Sequence, residues 1–345
     1  MISKHKPENT SEYKSMKITV FGCGTWGGVM ANYLYLKGHD VSIWQRKGST
    51  LNHLVKTRQH PKLTDLHFQD SIDIQSNISV GSSSDLWALA VPSSAMRTLV
   101  RQLKEIYNPN QLIVNLTKGL EEESLMTMSE VISEELNADP NHIVSLYGPS
   151  HAEEVFLQLP TTLVCASKSI ETATTVRNIF SSSTLRIYSN SDVLGVELGG
   201  SLKNVIAIAA GICDGIGFGD NTKAALMVRG SKEIARLGKA MHASELTFHG
   251  LSGIGDLIVT CISKYSRNRF VGEEIGKGKS LKNVLKNLGM IAEGVTTAKS
   301  VMSIQNKYKI ELPICSAVFD VLFENKNPKT AVTDLMNRSL RHEEI

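Results

Sequence analysis

The sequence holds little of what would mark a specialised surface. Its 345 residues include only five cysteines. Cys23, Cys165, Cys213, Cys261 and Cys315 are widely separated, with no C-x-x-C pair. That suits neither a disulfide framework nor a zinc site, and reduced thiols are the simplest expectation. Net charge is almost absent: 37 Lys and Arg against 34 Asp and Glu give +3. The charges are spread along the chain without the dense basic stretches of a nucleic-acid footprint, so no nucleic-acid partner is expected. No uninterrupted apolar stretch approaches the ~20 residues that span a bilayer. The most apolar segment, 205–213, is stopped by Asp214, and no membrane insertion is expected. Residues 1–15 lack the apolar core of a secretory signal and read as a flexible extension, which makes the cytoplasm the expected location. Internal repeats and low-complexity tracts are missing too.

What is present is a globular chain, 41% hydrophobic and 21% charged, able to bury a substantial core in two domains. From Lys17 to about Tyr188, short β-branched or aliphatic runs alternate with amphipathic helical stretches, the α/β signature. Strands are expected at 17–21, 41–44, 86–91, 112–116, 143–146 and 161–165, most of them nearly continuous apolar runs suited to a doubly wound parallel sheet. Helices are expected at 26–36, 95–106 and 125–136 from apolar residues three and four apart. After Ser189 only helices punctuated by glycine are expected. The first of them, 192–212, is too apolar for a surface helix and belongs at the centre of its domain. The expected organisation is therefore a Rossmann-type α/β domain over 16–190 followed by an all-helical domain over 191–340.

The first strand runs into Gly22-Cys-Gly24-Thr25-Trp26-Gly27 and then a helix. G-x-G-x-x-G in that context is a dinucleotide fingerprint: Gly22 permits the tight turn, Gly24 lets the backbone approach the pyrophosphate, and Gly27 allows close helix packing. The second strand ends in Gln45-Arg46-Lys47, with no Asp or Glu to hold a ribose 2′-hydroxyl. Arg46 and Lys47 instead place positive charge where a 2′-phosphate would sit, so NADPH is the preferred cofactor and NADH a second choice; a solvated basic loop is the plain alternative.

Lys118 lies just past the carboxyl end of a strand, where doubly wound sheets bind ligands. Gly148-Pro-Ser150-His151 follows another strand, and its small residues let backbone N–H groups near a substrate. Ser150 and His151 are not a hydrolase pair, since no nucleophile elbow surrounds the serine. Gly199-Gly-Ser-Leu-Lys203-Asn204 sets a lysine and an asparagine inside the most apolar helix. A buried ammonium needs a function or a partner, and Asp256 of Gly253-Ile-Gly255-Asp256 can supply the carboxylate; a structural ion pair between helices is the alternative. Ser266-Arg267-Asn268 opens another helix, with Ser266 as N-cap and Arg267 able to grip a phosphate with two parallel N–H bonds.

Together with 115–121 and Ile291-Ala-Glu293-Gly294, these motifs resemble, in order and spacing over about residues 17–335, the soluble bacterial NAD(P)-dependent glycerol-3-phosphate dehydrogenase family. The resemblance implies reversible reduction of dihydroxyacetone phosphate to sn-glycerol 3-phosphate, the backbone of membrane phospholipids. It implies cofactor contacts from Gly22, Gly24, Thr25, Trp26, Gly27, Arg46, Lys118, Ala152, Arg267, Ile291 and Glu293. Substrate contacts would come from Lys118, Gly148, Ser150, Lys203, Asn204, Asp256, Ser266, Arg267 and Asn268. Lys203, Lys118 and Asp256 would be catalytic, with Lys203 the general acid and base. No metal is needed, since two ammonium groups can polarise the carbonyl. Thr25 stands where many relatives have serine, and the hydroxyl is retained. The alternatives are a 3-hydroxyacid or 6-phosphogluconate type of dehydrogenase, against which Asp256 and 266–268 argue, and a non-catalytic NADPH-sensing module. A homodimer is the default assembly.

Overall fold

The apolar runs between residues 17 and 190 become neighbouring strands. The structure, a computed structural model, describes residues 14–288, 291–340 and 342–343. The extension expected over 1–15 lies outside the described residues up to residue 13. Among the described residues one eight-stranded sheet is formed, in the order β3-β2-β1-β4-β5-β6-β7-β8. The strands are β1 (Lys17–Phe21), β2 (Asp40–Trp44), β3 (Asp73–Gln75), β4 (Leu86–Leu89), β5 (Leu112–Asn115), β6 (Ile143–Tyr147), β7 (Thr161–Ala166) and β8 (Leu185–Asn190). Six of them match expected runs. The other two, β3 and β8, are the edges: β3 has three residues, and β8 alternates buried Leu185 and Ile187 with exposed Arg186 and Tyr188. Edge strands need not be apolar on both faces, which is why continuous runs did not reveal them.

One pairing departs from the all-parallel expectation, because β7 runs antiparallel to β6. The helix between them, Ala152–Phe156, has five residues. It climbs only about 7 Å, against about 16 Å for a five-residue strand, so the chain re-enters the sheet near the end it has just left.

Successive strand residues serve opposite faces. Ile18, Val20, Leu86, Ala88 and Val114 pack on one side, while Phe21, Trp87, Leu89 and Ile113 pack on the other. The covering helices are α1 (Thr25–Leu36), α2 (Ser49–Thr57), α3 (Ser93–Leu103), α4 (Met128–Leu136), α5 (Ala152–Phe156) and α6 (Ile170–Phe180). α4 begins three residues later than expected, since Thr127 and Glu130 close a capping box there. α3 begins two residues earlier than expected and gives way to a 3-10 turn at Lys104–Ile106.

Beyond Asn190 the described chain is helical: α7 (Val193–Ile216), α8 (Asp220–Ala240), α9 (Glu245–Phe248), a π-helical turn at Leu251–Gly255, and α10 (Asp256–Ile262). Then come α11 (Arg267–Gly276), α12 (Leu281–Leu288), α13 (Glu293–Tyr308), α14 (Pro313–Phe323) and α15 (Pro328–Met336). Asp192 caps α7 by accepting from Gly195 N at 3.0 Å. By length and composition α7 could cross a membrane, yet nearly every residue from Val193 to Cys213 is buried in the fold. It runs past its expected end because Asp214 points outward to Lys223 and Arg269, at 2.9 and 2.6 Å.

α11 crosses α7 at backbone contact. A Cβ on Gly272 would stand 1.9 Å from Ile208 O, and one on Gly211 would stand 1.9 Å from Arg269 O. Neither neighbour can give way, because both are helix backbone. Gly272→Ala is therefore expected to destabilise by about 3 kcal/mol, the upper range for overpacking, and to lower the melting temperature by several degrees. Differential scanning calorimetry of parent and variant measures it; an unchanged melting temperature contradicts the crossing.

Candidate active site

β1 delivers the chain to a loop shaped by absent side chains. Gly22 has φ +103°, and a Cβ there would come within 2.6 Å of Ala90 O; one on Gly27 would lie 2.0 Å from Gly22 O. Around Gly24 a Cβ would meet nothing within 4 Å, so the loop leaves open space at the residue expected to face a pyrophosphate. α1 starts at Thr25 without a side-chain cap and without an acid in its first turn. Its first N–H groups thus remain for an anion. A dinucleotide fits this cradle. Gln45, next to Arg46, braces it by accepting from Cys23 N at 2.8 Å. Buried His60 lies beneath Gly28 and accepts from Leu63 N at 3.0 Å. Sequence reasoning assigned a role to neither residue. Arg46 is exposed at the end of β2.

The carboxyl ends of β5 and β6 face α7 and α10 across a cluster of charge. Lys118 Nζ donates to Gly148 O at 2.9 Å and to Asp256 Oδ2 at 2.7 Å, and lies 3.4 Å from Ser150 Oγ. Lys203 Nζ donates to Asp256 Oδ1 and, at 2.8 Å, to Thr260 Oγ1. Asp256 is 1% exposed and Lys203 5%. One carboxylate thus serves two ammonium groups, and the cluster carries one net positive charge. Burial disfavours the charged form of Lys203, Asp256 favours it and Lys118 opposes it; together they push its pKa down to about 7. Burial and the same two lysines push His151 down to about 4. Thr260 was not anticipated from the sequence, although Asp256 and Thr260 are four residues apart on one helix and so share a face.

Glycines let these elements meet. A Cβ on Gly199 would stand 2.6 Å from Ser252 O, and one on Gly253 would stand 2.1 Å from Phe248 O. The π-helical turn before Asp256 therefore lies directly on α7.

Ser266 Oγ caps α11 by accepting from Arg269 N at 3.2 Å. Asn268 is engaged with protein: its Nδ2 donates to Asn204 Oδ1 at 2.9 Å, and its Oδ1 accepts from Gly294 N at 2.9 Å. The second N–H of that amide makes no hydrogen bond among the described residues. Arg267, exposed at the first position of α11, makes no side-chain hydrogen bond to protein among the described residues. Glu293 is half-buried, accepting from Ser93 N at 3.1 Å and from Ser93 Oγ; burial raises its pKa. That contact ties α13 to the start of α3. Ala152 is buried at the start of α5, and Ile291 is exposed. The structure thus brings Lys118, Gly148, Ser150, Lys203 and Asp256 into direct contact and links Asn204 to Asn268. No hydrogen bond among the described residues joins Thr25, Trp26, Arg46 or Ile291 to the lysine cluster.

Comparison with known proteins adds the lineage. The family described as NAD-dependent glycerol-3-phosphate dehydrogenase matches with its N-terminal part over residues 17–173 and its C-terminal part over 192–333. A glycerol-3-phosphate dehydrogenase [NAD(P)+] of Thermoanaerobacter sp. (strain X514) is 49% identical over 329 residues, 95% of this chain and 99% of that protein. One from Prosthecochloris aestuarii is 47% identical over 331 residues, 95% of this chain and 100% of that protein. The crystal structure of the Coxiella burnetii glycerol-3-phosphate dehydrogenase superposes with a TM-score of 0.90 at 31% identity, covering 94% of this chain and 99% of that one. A ketopantoate reductase of Ralstonia eutropha JMP134, at 13% identity and TM-score 0.60, shares the fold alone. Cradle, lysine cluster and full-length similarity coincide on one lineage, and the chain belongs to the NAD-dependent glycerol-3-phosphate dehydrogenase family.

Proposed function

We propose that this protein interconverts dihydroxyacetone phosphate and sn-glycerol 3-phosphate, with Lys203 as the proton donor in the direction of reduction. The observation that carries this reading is the buried Lys203–Asp256–Lys118 cluster at the strand ends, beside the glycine cradle. In this reading the chain divides near residue 190, the sheet part holding the cofactor and the helical part supplying Lys203, Asp256 and Arg267. When bound, NAD(P)H supplies the hydride to the ketone carbon. Gly22, Gly24, Gly27 and the first N–H groups of α1 would hold its pyrophosphate, with Arg46 on a 2′-phosphate. Lys203 donates a proton to the oxygen that becomes an alkoxide, and accepts it in reverse. Lys118 adds positive potential at the same oxygen. Asp256 keeps both ammonium groups in place, and Thr260 accepts a hydrogen bond from Lys203 and limits its rotation. Proton transfer from a positioned group contributes about 10²–10⁴-fold to rate. Arg267 and the amino end of α11 hold the phosphate.

The pKa of Lys203 gives the pH dependence its sign. Below about 7 the ammonium is protonated and can donate; above it the amine is neutral and can accept. The kcat/KM of ketone reduction should therefore fall as pH rises through about 7, and that of alcohol oxidation should rise over the same range. Lys203→Ala should abolish both limbs and lower turnover by about 10²-fold or more. pH-rate profiles that follow NAD(P)H oxidation with the ketone and NAD(P)+ reduction with the alcohol check this; a folded Lys203→Ala enzyme with normal turnover overturns the assignment.

Removing Arg267 leaves the phosphate dianion poorly paired. Arg267→Ala should lose about 2–5 kcal/mol of transition-state stabilisation, the range for truncating a hydrogen-bonded charge partner. The loss should fall on dihydroxyacetone phosphate far more than on dihydroxyacetone, which lacks the phosphate, and lysine should restore it only in part. Equal proportional losses in kcat/KM for the two ketones would assign Arg267 to the cofactor or the fold.

For the cofactor, we propose a preference for NADPH over NADH, supported by Arg46 and by the missing acid at the end of β2. Arg46→Ala should weaken NADPH selectively by about ten- to hundredfold, the worth of a charge-assisted phosphate contact. Equilibrium titration with both cofactors measures it, and equal weakening of both would give Arg46 another role.

A further inference from the structure

Glu197 sits in α7, less than two turns before Lys203, and takes no part in the chemistry above. Its side chain is fully buried, and no Lys or Arg forms an ion pair with it among the described residues. Hydrogen-bond donors from three other elements converge on it instead. Asn115 Nδ2 from the end of β5 and Ser145 Oγ from β6 each donate to Oε1 at 2.8 Å. Ser129, in the first turn of α4, donates its backbone N–H to Oε1 at 3.1 Å and its hydroxyl to Oε2 at 2.5 Å. The carboxylate therefore pins the helix that carries Lys203 to the two strands whose ends carry Lys118 and Gly148.

A second chain of contacts runs from the same point to Lys118. Asn115 Oδ1 accepts from Thr117 N at 2.9 Å, and Asn115 Nδ2 also lies 3.1 Å from Tyr147 Oη. Tyr147 Oη donates to Thr117 O. Both backbone groups of the residue before Lys118 are thus clamped. The Tyr147 ring lies 5.7 Å from Lys118 Nζ and also packs on α7, where a Cβ on Gly200 would be 2.5 Å from the ring. The phenol is a spacer between the loop of one lysine and the helix of the other.

We propose that Glu197 is a positioning residue: it fixes the register between α7 and the β5 end so that Lys203 and Lys118 meet one carbonyl oxygen through Asp256. The proposal rests on the reading of these lysines as the catalytic pair. The side chain must accept at several points, which an apolar residue cannot do; glutamine can, because the Ser129 hydroxyl is able to turn and accept from its amide.

The test measures kcat and KM for dihydroxyacetone phosphate and for NAD(P)H in Glu197→Leu, Glu197→Gln and Tyr147→Phe, the last also in a Lys118→Ala background. A displaced lysine pair should lower kcat by about tenfold or more in Glu197→Leu, while the KM for NAD(P)H stays within about twofold. Glu197→Gln should recover most of the loss. Tyr147→Phe, which keeps the ring and removes the hydroxyl's bonds to Thr117 and Asn115, should lower kcat in the parent and have less than about a twofold effect once Lys118 is gone. Where Glu197→Leu does not fold, Glu197→Gln and the Tyr147→Phe cycle decide alone. Parental kcat in Tyr147→Phe, or the same fold-loss in both backgrounds, overturns the proposal. Failure of the parent itself to oxidise NAD(P)H with dihydroxyacetone phosphate would instead overturn the functional reading on which it rests.

Discussion

Asp256 bonds two ammonium groups at once, and much of the molecule is arranged so that it can. Its two oxygens face Lys118 and Lys203 on different elements, so neither lysine is buried alone. Removing Asp256 would strand both cations in a medium where an uncompensated ion costs several kcal/mol. Burial and the ratio of two cations to one anion together set the chemistry. Burial is the main force that leaves Lys203 able to lose a proton near neutral pH; Asp256 opposes it and the second cation, Lys118, adds to it. A one-to-one pair would be electrically closed, whereas the second cation leaves one positive charge for an incoming electron-rich oxygen.

Bringing three such groups together requires main chains to approach more closely than side chains usually permit. Glycine achieves this at each close approach: Gly199 where the π-helical turn rests on α7, Gly253 where that turn folds back on the end of α9 at Phe248, Gly200 under the Tyr147 ring, and Gly211 and Gly272 where α11 crosses. The placement of Asp256 and Arg267 relative to Lys203 is thus fixed by backbone contact and not by adjustable side-chain packing. That rigidity matters because a displacement of about 1 Å at reacting groups can reduce rate by two orders of magnitude.

Much of this was legible before the fold. The glycine fingerprint stood between a strand and a helix, Lys118 stood past a strand end, and Lys203 was anomalous in an apolar helix, which demanded a carboxylate such as Asp256. What escaped had physical reasons. β3 and β8 are edge strands without two-sided apolar patterns, and the reversal at β7 depends on the length of α5, not on composition. Glu197 lies in the same apolar helix as Lys203 and was as anomalous, but its partners are neutral donors scattered over 115, 129 and 145. No charge pattern in a sequence points to those. Asn268 shows the converse: its motif was evident, yet most of its amide is committed to Asn204 and Gly294.

The charge arrangement also explains why, under the proposed reaction, a substrate with a phosphate at one end and a ketone near the other binds in one direction. A dianion at the lysine cluster would have to displace hydrogen bonds that Asp256, Gly148 and Thr260 already make with the two ammonium groups. Arg267 has no such bonds to give up among the described residues, is exposed, and stands at the amino end of α11, whose dipole adds roughly half a positive charge. Its nearby carboxylate, Glu293, is occupied by Ser93. The dianion therefore gains more at Arg267, while the less strongly charged carbonyl oxygen suits the single net positive charge of the cluster. Orientation follows from this difference in what each cation must relinquish, and it leaves Lys203 unencumbered by phosphate when its proton is needed.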